Sequence, residues 1–288
     1  MAKITVMALV IGVLIGVLAS ILLVVGLSYV SESKTFTVPL KLPLNNVVIK
    51  GNAANVIIEE GQTPKMVVNY TIKGFFIPKP HLSISYNEVN GTLTVNVEFE
   101  QSGMEIATFE DVCVYLFLPA HLSSLNINGG AGNVEIEDIK ANGLTISESA
   151  GNVKIQNVTS TYIKILTSAG NVKVEYANVT NITVITSAGN VELKGVTFNR
   201  GVVNTSAGNI MLSNALGKCL NAYSKAGNID VEVTEYYNLT YYLKTSAGNI
   251  DITAIPQIHV ITTPGEFSSP PVIYASTSAG TCLLYTSD

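Results

Sequence analysis

Residues 151–170 read GNVKIQNVTSTYIKILTSAG, a stretch that opens and closes on the same small turn. Val153 and Ile155 alternate with Lys154 and Gln156; after a polar break, Ile163, Ile165, Thr167 and Ala169 alternate with Lys164, Leu166 and Ser168. Alternation with period two, carried by β-branched residues, predicts two short strands with one apolar face each. Moving outward from this unit, the turn recurs at Gly132, Gly151, Gly170, Gly189, Gly208 and Gly227, each nineteen residues after the last. Gly248 follows after twenty-one residues and Gly280 after thirty-two. A period this constant is an internal repeat. Nineteen residues cannot bury two apolar faces alone, whereas stacked coils share one continuous core. The expected fold is therefore all-β, a β-solenoid of about 19-residue coils that advance about 4.8 Å each. A sandwich of antiparallel hairpins also accommodates such strands, but it does not require equal spacing.

The Gly-Asn pair reads as the corner of each coil. Gly reaches positive φ at little cost, and Asn tolerates it next best. Stacking would place Asn133, Asn152, Asn171, Asn190, Asn209, Asn228 and Asn249 one above another, with their amides hydrogen-bonding along the stack as a ladder. Thr167, Thr186, Thr205 and Thr245, with Ser224, would form a hydroxyl column beside it, and the preceding Ala would keep the inner corner narrow. This is a structural role, and no catalytic residue is expected in the motif.

Residues 1–31 are expected to form an N-terminal transmembrane anchor. Ile4 to Val30 carry no charge, a length that spans a bilayer and exceeds the apolar core of a secretory signal. Lys3 and the amino terminus precede the run, while Glu32 and Lys34 cancel after it, which favours a single-pass cell-membrane protein with the bulk of the chain extracellular. Cleavage near Ser31 is the alternative. Seven Asn-x-Ser/Thr triplets, at Asn69, Asn90, Asn157, Asn178, Asn181, Asn204 and Asn238, make the chain a glycoprotein candidate.

Between anchor and repeats, residues 32–128 read as a β-rich lead-in or cap, with strands at Asn46–Lys50, Asn55–Glu59, Met66–Ile72, Leu82–Tyr86, Thr92–Glu98 and Val112–Leu118. The solenoid repeats occupy 129–280. An insertion at about 255–275 contains Pro256, Pro264, Pro270 and Pro271 and is a candidate contact surface. At Thr281 the repeat loses its Asn. The following Cys-Leu-Leu-Tyr-Thr-Ser matches the translated mosaic-end tag of transposase-made sequencing libraries, so 281–288 read as adapter read-through, with a degenerate closing coil as the alternative.

The stretch VYLFLPAHLSSLNINGGAGNVEIEDI, residues 114–139, leads from a strand through Leu-Pro-Ala into the Gly-Asn-Val repeats. It resembles the prokaryotic "putative adhesin" family, including the head GIN domain adhesins, whose members carry Gly-Asn/Asp-Ile/Val repeats on short β coils. The resemblance covers about residues 35–280. It implies surface attachment and brings no catalytic residues.

Composition narrows the chemistry. With 13 % charged residues the chain is too apolar for a disordered tail. A net charge of −5 without a basic stripe argues against a nucleic-acid partner. His81, His121 and His259 are far apart and lack companion ligands, so no zinc site is expected. No glycine loop opens a helix to cradle phosphate, and no cofactor is expected. Of the cysteines, Cys113 and Cys219 suggest no disulfide framework; Cys219 reads as a small buried thiol, and Cys282 falls in the tail.

One acidic cluster remains. Asp230 and Asp251 hold the same outward position in successive coils, with Glu232 two residues from the first. Paired carboxylates could bind or cleave a polysaccharide, yet the full column, Glu135, Lys154, Lys173, Glu192, Met211, Asp230, Asp251, also fits a solvated face. Tyr236, Tyr237, Tyr241 and Tyr242 lie nearby and suit either sugar stacking or packing. The sequence thus points to a non-enzymatic, membrane-anchored surface solenoid with a structural or adhesive display role. Its partners would be the membrane, a surface glycan or protein ligand, or further copies of itself. Polysaccharide binding or cleavage and envelope sensing through a membrane partner are the alternatives.

Overall fold

The computed structural model describes residues 29–51, 54–75, 81–100, 106–235, 237–262 and 270–286, together with the isolated residues 15 and 17. Each coil contributes one short and one long strand. In the unit quoted above these are Val153–Gln156 and Thr159–Ala169. Short strands pair in parallel from coil to coil, Val153 with Val172 and Lys154 with Lys173; long strands do the same, Ile163 with Ile182 and Ile165 with Val184. The described residues build two sheets of twelve strands each, parallel throughout the repeats. The chain is a β-solenoid.

The alternation seen in the sequence sets which side chains face inward. Val134, Val153, Val172, Val191, Ile210, Ile229 and Ile250 form one buried row on the short-strand sheet, and the long-strand sheet faces it with Ile146, Ile165, Val184 and Val203. Burying each such side chain contributes about 1.5–3 kcal/mol. In the neighbouring inward row, Ile163, Ile182, Gly201 and Leu220, the space left bare at Gly201 is taken by Leu220 Cδ1 and by the ring of Phe198, which covers Gly217 as well. Midway along the long strand Thr159–Ala169 the alternation breaks: Thr161 and Tyr162 both face out, and the pairing register skips Thr161, so the strand bends there.

A coil needs two corners, and they are built differently. One is Gly-Asn. The other, between short and long strand, carries a left-handed residue in five successive coils: Asp138 (φ 57°), Asn157 (53°), Tyr176 (53°), Gly195 (60°) and Asn214 (47°).

The N-terminal half joins the same two sheets. Asn46–Gly51 and Asn55–Glu60 form a coil of their own. The second of these strands lies between Val112–Leu118 of one strand and Val134–Glu137 of another, parallel to both. Antiparallel strands finish that end of the stack: Tyr29–Pro39 against Lys65–Phe75 against Ile106–Leu118 in one sheet, and His81–Val89 against Thr92–Glu100 in the other. The anchor expected over 1–31 lies outside the described residues apart from 15, 17 and 29–31, and Tyr29 already starts a strand. No helix among the described residues is long and apolar enough to cross a membrane.

At the other end, part of the proline-rich stretch, 263–269, also lies outside the described residues. The stack resumes at Val272–Thr277, which pairs with Thr240–Thr245, and His259–Ile261 adds a last strand beside it. In the opposite sheet Cys282–Thr286 pairs with Ile250–Ala254.

Candidate functional site

The Gly-Asn corner is hydrogen-bonded along the stack axis. The Gly151 amide donates to the Ala169 carbonyl at 2.9 Å and the Val153 amide to the Asn171 carbonyl at 2.9 Å, and the pattern repeats from coil to coil. Each Asn side chain then takes one more donor. The Asn152 backbone N–H donates to Asn133 Oδ1 at 2.9 Å, and those of Asn171, Asn190, Asn209, Asn228 and Asn249 donate to the Oδ1 one coil earlier at 2.8–3.0 Å. The chain of bonds begins at Asn55, which accepts from Asn133, and ends at Thr281, which donates to Asn249. The side chains therefore reach the next backbone more than the next amide. Among the described residues, one amide–amide bond joins the column, Asn152 Nδ2 to Asn133 Oδ1 at 3.2 Å.

Close stacking also explains the glycine. Gly170 has φ 140°, and a Cβ there would lie 1.9 Å from the Gly151 carbonyl oxygen. The hydroxyl column faces the same carbonyls: Thr205, Ser224, Thr245 and Thr277 donate to the oxygens of Gly189, Gly208, Gly227 and Gly248 at 2.9–3.1 Å. Ala150, Ala169, Ala188 and Ala207, expected on the inner side, are exposed instead, because the chain has begun its turn and two successive residues face out. The corner's backbone groups and Asn Oδ1 atoms are spent on one another, whereas Thr186 Oγ1 in the same column is buried without a partner.

Glu148 departs from that column and was not singled out in the sequence. It holds the position of Thr167 one coil earlier, faces inward and is 6 % exposed. Burial pushes its carboxyl up to about 7. The signal was present: aligned on the repeat, SESAGN stands where LTSAGN follows.

On the outer face of the short-strand sheet, Lys154 and Lys173 stand side by side and each pairs with acidic neighbours. Lys154 Nζ lies 2.5 Å from Glu135, and Lys173 lies 3.2 Å from Glu175 and 3.5 Å from Glu192. Further along, the register sets Met211 beside Asp230 and Asp230 beside Asp251, so two carboxylates adjoin without a cation between them. Glu232 stands in the next column, opposite Thr253, and accepts a hydrogen bond from Ser213 Oγ at 2.8 Å. A shallow groove of about 350 Å³ brings Asp230, Glu232 and Asp251 together with Met211, Thr253 and Tyr285. Burial, then the neighbouring Asp251, raises the Asp230 carboxyl above its ordinary value, and Asp251 Oδ1 is buried without a partner. Among the described residues no group of three His, Cys, Asp or Glu side chains could hold a metal ion.

The tyrosines part company. Tyr241 is buried, its hydroxyl donating to the Ala215 carbonyl and accepting from the Gly217 amide at 3.2 Å. Tyr242 stacks on Tyr274 with centroids 5.1 Å apart. Tyr237 is half-buried, and Tyr236 lies outside the described residues. His121 and His259 are exposed on separate strands. Cys219 is a free thiol beside Arg200 in the outward register, only half-buried, so the expected core thiol is a surface-column residue. Of the glycosylation triplets, Asn90, Asn157, Asn178, Asn181 and Asn238 are exposed, while Asn69 and Asn204 are half-buried.

Residues 44–260 match the Toastrack DUF4097 family. The chain belongs to that family. Several solved structures are similar to this chain in fold. A "putative adhesin" from Bacteroides fragilis is 17 % identical, with 89 % of this chain and 97 % of that one covered and a TM-score of 0.52. One from Parabacteroides distasonis is 14 % identical over the same shares, with a TM-score of 0.56. A "putative lipid binding protein", also from Parabacteroides distasonis, is 14 % identical, covers 90 % of this chain and 97 % of that one, and has a TM-score of 0.51. At these identities the likeness is one of fold. None of the three is described as an enzyme, and no curated protein matches the chain.

Proposed function

We propose that this Toastrack chain is a non-enzymatic, adhesin-type display protein at the cell surface. In this reading it is tethered to the cell membrane by its first 31 residues, with the solenoid outside and relatives among the head GIN domain adhesins. The observation that carries it is the contrast between the two sides of each strand. Inward positions repeat from coil to coil, Val134, Val153, Val172, Val191. The outward column beside them varies, Glu135, Lys154, Lys173, Glu192, Met211, Asp230, Asp251. Such a chain keeps its frame constant and changes what it shows, which suits presentation to a partner. The adhesin names of its structural neighbours agree, and the exposed Asn-x-Ser/Thr sites would suit glycans on an external surface.

Two measurements on cells expressing the full chain test this. Protease added to intact cells should remove the solenoid, and the cells should attach to host or neighbouring cells better than cells lacking the gene. Protection from external protease, or attachment unchanged by deleting the gene, overturns the reading.

A second reading, polysaccharide binding or cleavage by Asp230, Glu232 and Asp251, is favoured by the raised Asp230 carboxyl beside Asp251. Its test is the release of new reducing ends from polysaccharides, which Asp230→Ala or Asp251→Ala would abolish.

A further inference from the structure

Tyr176 is misplaced by the standards of its own column. The left-handed corner holds Asp138, Asn157, Gly195 and Asn214 in the other coils, residues that take positive φ readily, whereas Tyr176 takes φ 53° with a bulky side chain. Core packing does not explain the choice, because Tyr176 is 54 % exposed. A strained, outward-facing aromatic calls for a use beyond the fold.

The next coil supplies a matching feature. Gly195 follows Tyr176 in the stack, and a Cβ on it would meet Tyr176 Cδ1 at 3.0 Å and Cε1 at 3.3 Å. The ring thus leans over a position kept bare, and beyond it the surface opens into a groove of about 390 Å³. Tyr176 forms one wall and Gly195 the floor. Lys194, Thr197, Ser213, Asn214, Leu216 and Glu235 complete the lining. Asn214 is fixed in place: its Oδ1 accepts the Thr234 amide at 2.9 Å and its Nδ2 donates to Thr234 Oγ1 at 2.9 Å. Lys194 and Glu235 are both exposed, and neither makes an ion pair among the described residues.

We propose that this groove binds a neutral oligosaccharide, with a pyranose ring against Tyr176. An aromatic ring flanked by a few convergent polar groups is a usual pattern for small-molecule sites. Here the polar groups are hydroxyls, one ammonium and one carboxylate, whose charges offset each other. An anionic sugar would meet Glu235 and a cationic one Lys194, whereas sugar hydroxyls can donate to the carboxylate and accept from the ammonium. From Tyr176 to Asn214 the groove crosses two coil steps, about 10 Å, so it takes linked rings. The proposal deepens the display reading, naming a ligand class for it, and rests on that reading for its biological use.

The test uses the full chain in detergent micelles, with cellohexaose, chitohexaose and mannohexaose as probes and hexagalacturonate as the charged comparison. Calorimetry reads affinity, and saturation-transfer NMR reads whether ring protons lie against an aromatic side chain. At least one neutral hexasaccharide should bind with its ring protons saturated. Tyr176→Asn, which installs the residue found at the same corner one coil earlier, should weaken that binding at least about tenfold while leaving the unfolding midpoint equal or higher. Gly195→Asn, filling the floor, should weaken it as well. The proposal is overturned if none of the neutral probes binds, if hexagalacturonate binds more tightly, or if both variants bind like the parent. The display reading fails separately. Sugar binding without protease sensitivity on intact cells removes display and keeps the groove, while cell attachment that survives Tyr176→Asn removes the groove as the adhesive contact and keeps display.

Discussion

The carboxylate of Glu148 fills the space above Gly129, so closely that a Cβ on Gly129 would meet both carboxylate oxygens at 2.0 Å. Its register neighbours are Gly129 and Thr167, with Gly51 beyond, so no charged side chain faces it from the adjoining strands. The carboxyl is held up to about 7 in the fold against an ordinary value of 4.5. Between those two values the folded chain binds the proton and the unfolded chain does not. Stability is therefore fully present below pH 4.5 and is lost as pH rises towards 7, by at most about 3 kcal/mol. Thermal unfolding of the full chain from pH 5 to 8 should show Tm falling, and Glu148→Gln should flatten the profile. A flat profile for the parent would sink this account.

The Asn column accepts backbone donors, which separates Ala from Asp as replacements. Asn190 Oδ1 accepts the Asn209 amide at 2.8 Å. Asn190→Ala should cost about 1 kcal/mol, whereas a single Asn190→Asp keeps the acceptor and should stay within about 0.5 kcal/mol of the parent. Changing Asn171, Asn190 and Asn209 together to Asp stacks three like charges about 5 Å apart. That loss should exceed the sum of the singles and recede in high salt. Denaturant titrations of the parent, Asn190→Ala, the three single Asp variants and the triple variant decide it.

The two corners should respond oppositely to substitution. At Gly189, φ is 157° and a Cβ would lie 2.0 Å from the Gly170 carbonyl oxygen, so Gly189→Ala should lose more than about 2 kcal/mol. At Asn157, φ 53° admits glycine freely, and Asn157→Gly should change stability by less than about 1 kcal/mol. Urea midpoints for the pair provide the comparison.

For the acidic pair, Asp251→Asn removes the like charge and should let the Asp230 carboxyl fall back towards its ordinary value, leaving only the part due to burial. Carbon-detected NMR titration of the aspartates reads this directly. Incubating the full chain with plant and microbial polysaccharides should release no new reducing ends. Release that disappears in Asp230→Ala or Asp251→Ala would establish the cleaving reading instead.

Much of the fold was legible because the repeat makes every inward position speak several times. The spacing of the Gly-Asn pairs and the alternation around Val153 and Ile163 specify strands, faces and stacking axis together. The second corner was harder to see, since Asp138, Asn157, Tyr176, Gly195 and Asn214 share a backbone conformation and no single side chain. The N-terminal order was hidden for a different reason. Asn55–Glu60 pairs with strands from residues 112–118 and 134–137, and nothing local in the sequence encodes a partner that distant. Of the candidate surfaces, the acidic pair followed from register alone. The Tyr176 groove did not, because it depends on a ring leaning over a glycine nineteen residues away.

The parallel stack also has a mechanical consequence. Its inter-strand hydrogen bonds run along the long axis, so tension applied between the two ends loads them one coil boundary at a time instead of shearing all of them together. Each nineteen-residue coil that peels away would release about 65 Å of extended chain. Under load such a rod pays out length in equal steps, as a ratchet strap does, and a contact held at its far end would outlast forces that snap a stiffer link.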